Sequence, residues 1–110
     1  MRWTISTAIL AVALSLAPAA DADNNIALSA WLAPCQSDRQ KCLDELTYGY
    51  RAADDPEFEV CPPANLAESD AAEAELRWLQ NAAASNSTLA AGKELDAEWT
   101  ALHTLWPCGN

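Results

Sequence analysis

Few side chains in this 110-residue sequence could do chemistry. Four cysteines stand at Cys35, Cys42, Cys61 and Cys108, one histidine at His103, and sixteen acids against six bases give a formal charge of −10. Metal binding would need a C-x-x-C pair or a second histidine, so no metal or cofactor is implied. An even number of cysteines in a small exported chain points instead to two disulfides. Oxidation then removes all four as nucleophiles. No G-x-S-x-G surrounds any serine, and three glycines in the whole chain cannot build a phosphate loop. His103 lacks the positioned nucleophile that a general base serves. The acids read as scattered, solvated charges, and the acidic run at 54–59 lacks the alternation and the glycine of a calcium loop. The expected class is therefore a protein that is not an enzyme. Its negative charge argues against nucleic acid and anionic membranes and suits a basic protein partner.

The elements that position the cysteines can be read from composition and spacing. Residues 1–22 have the form of a secretory signal: Arg2, an apolar run from Ile5 to Leu16, then small residues framing a cleavage site at Ala17-Pro18-Ala19 or Ala20-Asp21-Ala22. The run is too short for a good membrane span. Residues 23–110 are then expected to form one mature domain, periplasmic in a Gram-negative cell, with no membrane span after cleavage. Ile26 and Val60 are its only β-branched aliphatic residues, while alanine is abundant. That starves a sheet and favours helices, so the expected fold is all-α, a small disulfide-stapled bundle of about four helices.

The first helix is expected near 26–33, with Leu28, Trp31 and Leu32 on one side and Pro34 ending it. Ser37 and Gln40 form a capping box for a helix over 38–54, whose inner face carries Leu43, Leu46, Tyr50 and Ala53. Gly49 inside it costs about 1 kcal/mol against Ala, which suggests close approach by a neighbour. Asn65 and Glu68 resemble a second cap, opening a helix over 66–84 with Ala72, Leu76, Leu79 and Ala83 inward and a Glu73–Arg77 pair outside. Asn81 to Thr88 reads as a fraying end plus loop, with Asn86 as the cap of the last helix. That helix, 89–106, carries Leu95, Trp99, Leu102 and Trp106 as its apolar face, with His103 at the border. Trp31, Trp99 and Trp106 are core candidates, and Trp78 stands at the rim of the core or at an interface. Three disulfide pairings are possible. An antiparallel layout puts Cys61 and Cys108 at one end of the bundle and Cys35 and Cys42 near the other, which favours Cys35–Cys42 and Cys61–Cys108.

The order of features carries a resemblance. A short helix ends in Cys35, Cys42 lies in a helix with Tyr48-Gly49-Tyr50, and Phe58-x-Val60-Cys61-Pro62 comes next. Then come Leu76-x-Trp78-Leu79 and a closing Ala101-Leu102-x-x-Leu105-Trp106-Pro107-Cys108. Over about residues 26–108 this resembles the Rap/Tai family, the small periplasmic immunity proteins of type VI secretion. The resemblance implies an all-helical, disulfide-bonded domain, often a homodimer, without catalytic activity. It implies a partner, a toxic effector such as a peptidoglycan amidase, whose active-site cleft receives a loop between helices. The polar, small-residue segment of Asn81, Ser85, Asn86, Ser87 and Thr88, with Trp78 nearby, is the partner-binding candidate. The alternative expectation is a periplasmic acid-stress chaperone of the HdeA type, also small, helical, exported and disulfide-bonded. Its many acids would discharge near pH 3 to 4, roughly the usual carboxylate range, and expose apolar surface.

Overall fold

Helix propensity and two covalent staples shape residues 26–109, the part of the chain that the computed structural model describes. The export signal inferred for 1–22 lies outside the described residues. Five helices succeed one another: α1 (Leu28–Leu32), α2 (Arg39–Ala52), α3 (Glu68–Ser85), α4 (Ser87–Ala91) and α5 (Glu94–Leu105). Short 3-10 turns occupy Ala33–Gln36 and Pro56–Phe58. Among the described residues β structure is limited to two isolated bridges, Ala27 with Lys93 and Val60 with Pro107. The fold is thus all-α and disulfide-stapled.

Local chemistry sets the helix ends. Pro34 opens the first 3-10 turn and carries it through Gln36, so the cap of α2 falls one residue later than the Ser37–Gln40 box would place it. Asp38 is that cap, accepting from the Lys41 backbone N–H at 3.3 Å. Ser37 turns back and donates to the Pro34 carbonyl, and the Gln40 amide donates to Asp44 at 2.8 Å. The helix α3 has no side-chain cap; Ala67 precedes it in extended conformation, and Asn65 lies back in the turn. Glu68 and Asp70 in its first turn are placed to favour the helix dipole instead. The stretch Asn81 to Thr88 is not a loop. Alanines keep α3 helical to Ser85. Asn86 breaks the helix in extended conformation, and its side chain accepts from the Leu89 N–H at 3.0 Å to cap α4. Asn86 is thus a cap, but of the short α4 rather than of the last helix, which begins only at Glu94 and has no side-chain cap, and the surrounding segment is more ordered than expected.

The helix α3 forms the centre, with α2 and α5 packed against it and α1 reaching α3, α4 and α5. Leu28, Leu46, Leu76 and Leu79 are fully buried, with Trp31, Cys35, Cys42, Ala72, Ala97 and Ala101 in the same cluster. The inner faces of α2 and α3 largely match their apolar spacing: Leu46, Ala53, Ala72, Leu76 and Leu79 are buried, and Leu43, Tyr50 and Ala83 are half-buried. The face of α5 does not. It buries Ala97, Ala101, Leu102, Glu94 and Glu98, while Leu95 is 43% exposed and Trp99 and Trp106 are only half-buried. The reason is steric: Ala97 and Ala101 let α5 approach α3 closely, and that rotates the large side chains to the margins. There Trp99 packs on Phe58 at 5.0 Å between ring centroids, and Trp106 meets Tyr50 edge-on at 5.4 Å.

Two arginine clamps tie α2 to α3. Arg39 binds Glu73 in a bidentate pair at 2.6 Å, and Arg51 binds Glu68 at 2.9 Å. Glu73 therefore pairs across helices with Arg39, in two parallel bonds, rather than with Arg77 of its own helix. All four side chains are exposed, so these pairs fix register more than stability.

The cysteines pair as the helical layout favours: Cys35–Cys42 and Cys61–Cys108. The second joins segments already held by the Cys61 N–H donating to the Trp106 carbonyl at 2.8 Å. It spans 47 positions against 7 for the first. Loop closure therefore predicts a larger loss on removing it, about 4 kcal/mol against about 2.5. Urea unfolding of the Cys61→Ser/Cys108→Ser and Cys35→Ser/Cys42→Ser double variants checks this order; equal losses would contradict it.

Candidate functional site

Three glutamates face inward, against the expectation that the acids are solvated. Glu75 of α3 is 0% exposed, and Glu94 and Glu98 of α5 are 9% and 8% exposed. No salt bridge among the described residues reaches them. Both carboxyl oxygens of Glu75 and the Oε2 of Glu98 have no hydrogen-bond partner. A buried carboxylate without a partner is costly, so the group protonates instead. Burial pushes the Glu75 carboxyl up to about 9, with the neighbouring Glu98 and Glu94 adding to it. Burial likewise raises Glu98 to about 8, helped by the charge of Glu94 and by a hydrogen bond to it. Glu94 is raised by burial and by Glu45, with the Glu98 bond opposing. At neutral pH the Glu98 carboxyl is therefore neutral in the fold. Tyr50 is raised too, by burial and then by the nearby Glu75.

Gly49 explains how Glu98 fits. A Cβ built at position 49 would collide with the Glu98 Oε2. The close neighbour expected at Gly49 is thus a carboxyl group. Around it α2 and α5 leave a groove of about 470 Å³. Glu94, Glu98 and Gly49 lie along it, with Tyr48, Leu95 and Trp99 as further walls. Tyr48 is 75% exposed. Spacing rules treat every Glu as outward, so this cluster left one trace in the sequence: a glycine in mid-helix.

The sequence-predicted partner residues lie elsewhere. Asn81, Ser85, Asn86, Ser87 and Thr88 are all exposed and gather at the corner between α3 and α4. Ser85 donates to the Asn81 carbonyl at 3.0 Å, and Asn86 is occupied as the cap of α4. Trp78 is half-buried and packs against the core cluster, which places it at the rim. Trp31 is buried as expected, its indole N–H donating to Glu45 at 2.9 Å. His103 is exposed, and its Nε2–H donates to the Phe58 carbonyl at 2.7 Å, pinning the 54–60 segment to α5. The cysteines form two disulfide-bonded pairs, with no free thiol among the described residues. Among the described residues no group of three or more His, Cys, Asp or Glu is arranged to hold a metal ion. No helix among them is long and apolar enough to cross a membrane.

No family model, curated protein or solved structure matches the chain significantly.

The buried acids make stability depend on pH. A carboxyl raised in the fold stabilises it at low pH. That contribution fades as pH climbs above about 4.5, where the unfolded group ionises, and is lost by the folded values of about 8 for Glu98 and about 9 for Glu75. The melting temperature should therefore be higher at pH 5 than at pH 8.5. Glu75→Gln, neutral at every pH, should flatten that slope and stabilise the protein at pH 8.5 by about 1 kcal/mol or more, an order-of-magnitude figure for removing a buried charge. An unchanged slope would mean that Glu75 is not neutral in the fold. Separately, Gly49→Ala should destabilise in the wild-type background. Combined with Glu98→Ala it should instead gain up to about 1 kcal/mol of helix propensity over Glu98→Ala alone. Chemical denaturation of the four proteins in that cycle measures the coupling.

Proposed function

We propose that this chain is an exported immunity protein of the Rap/Tai type, which binds a type VI secretion effector, such as a peptidoglycan amidase, and blocks it in the periplasm. One observation carries the reading. The two most specific pieces of the resemblance, Phe58-x-Val60-Cys61-Pro62-Pro63 and the closing Ala101 to Cys108 segment, are far apart in sequence. In the fold they meet, joined by the Cys61–Cys108 disulfide, the Val60–Pro107 bridge and the Cys61 N–H donating to the Trp106 carbonyl. A motif pair whose members hold each other is a unit of architecture rather than two chance strings.

The corner between α3 and α4 is the element this reading offers to an effector cleft. Asn81, Ser85, Ser87 and Thr88 present small polar side chains there, on helices rather than on a floppy loop, so little ordering entropy is lost on binding. With a charge of −10, association with a basic effector would be fast at low salt and slower at high salt. The acid-stress chaperone is the weaker reading. Such a protein must open on acidification, whereas Glu75 and Glu98 are already neutral near pH 7 and favour the closed fold as pH falls.

A competition assay tests the proposal. A strain lacking this gene is grown on a surface with its parent, with the parent's type VI apparatus intact or disabled. Loss of the mutant only beside the secreting parent is the expected result. Equal survival in both cases would exclude immunity to a resident toxin.

A further inference from the structure

We propose that the groove between α2 and α5 is a receptor for an arginine side chain presented by a protein partner, with the carboxyl groups of Glu98 and Glu94 as its acidic floor. The assignment rests on the reading of the chain as a partner-binding protein and names the chemistry of one contact.

The groove combines three features that a protein surface rarely leaves together. Glu98 lines it while only 8% exposed, and its Oε2 has no partner. That carboxyl packs directly on the bare backbone at Gly49, with its Oε2 enclosed there and no polar group of α2 satisfying it. Large apolar side chains stand exposed at the same opening: Tyr48 at 75% and Leu95 at 43%, with Trp99 half-buried. Folding stability does not require Leu95 outside, since a polar residue would serve better on a wet face. An occupant that needs both an anion and an aromatic or aliphatic wall accounts for the combination.

Arginine meets those needs better than lysine. Its planar guanidinium can bridge two carboxyl groups with parallel bonds and stack on an aromatic ring, and it loses less hydration on entry. The volume of about 470 Å³ lies within the range of small-ligand pockets and is open enough for a side chain with its flanking residues. Further acids face the same region: Asp44 and Glu45 from α2 line the groove, and Glu75 from α3 lies close enough to feel the charge of Glu98. Among the described residues the one salt bridge at the groove is that of Lys41 with Glu45, at 3.6 Å, and none reaches Glu94 or Glu98. Entry of a guanidinium would draw the proton from Glu98 into solvent, so binding should strengthen as pH rises.

The test uses a capped Leu-Arg-Leu peptide and its Leu-citrulline-Leu counterpart, which has the same shape and no charge. Each is titrated into the isotope-labelled, disulfide-bonded protein and followed by amide and indole NMR shifts. The arginine peptide is expected to shift Gly49, Leu95, Glu98 and the Trp99 indole saturably, at least tenfold more tightly than the citrulline peptide. It should bind more tightly at pH 8.5 than at pH 6. Glu98→Gln, an uncharged near-isostere that should leave the fold intact, and the exposed Tyr48→Ala should each weaken it about tenfold. Shifts scattered over the acidic 54–59 segment, equal binding of both peptides, or binding unchanged in Glu98→Gln would each overturn the proposal. No effector enters this experiment. Its failure would leave the immunity reading standing, and failure of the competition assay would leave a positive groove result standing.

Discussion

Everything in the packing of this domain turns on how three glutamates are buried between three helices. A small domain has a thin margin of stability. It cannot hold unpaired carboxylates in its interior, since each ionised group would cost several kilocalories per mole. Glu75 and Glu98 are therefore neutral in the fold, and their neutrality is a consequence of geometry. Ala97 and Ala101 let α5 close on α3, the same rotation turns Glu94 and Glu98 inward, and Gly49 leaves the hollow that Glu98 fills. Changing any one of these small residues alters the position of the acids.

The covalent and ionic ties act around that centre. The Cys35–Cys42 disulfide holds the entry to α2 beside Trp31, and Cys61–Cys108 ties the segment before α3 to the end of α5. Between them the clamps Arg39–Glu73 and Arg51–Glu68 set how α2 lies along the first half of α3. Trp99, Phe58 and His103 seal the acidic 54–60 segment against α5. Two surfaces result, made of different materials. The α3–α4 corner is small, polar and rigid. The α2–α5 groove is apolar at its rim and acidic at its floor. A protein that engages a partner through both would gain contact area at the first and charge recognition at the second.

Acidity thus has two meanings in this molecule. Most of the carboxylates are solvated and give the net charge that would steer a basic partner. Of the three inside, Glu75 and Glu98 are neutral at neutral pH and instead make the fold more secure in acid. Neutral buried acids of this kind favour the closed fold as pH falls.

The sequence by itself determined the class of the protein. Scarce β-branched residues and abundant alanine dictate helices, the apolar spacing of α2 and α3 marks their buried faces, Asn86 announces a cap, and four cysteines placed around antiparallel helices favour one pairing. These are local or nearly local consequences of side-chain type, and they survive without knowledge of the neighbours. The face of α5 was not legible. Periodicity ranks Leu95 and Trp99 above Ala97 and Ala101, whereas close contact between helices rewards small side chains. Nor was the cap at Asp38, which depends on how far the turn begun by Pro34 runs. The buried glutamates were the least legible of all. Whether a carboxyl is charged and wet or neutral and buried depends on the dielectric and the neighbours around it, and only the tertiary structure supplies those.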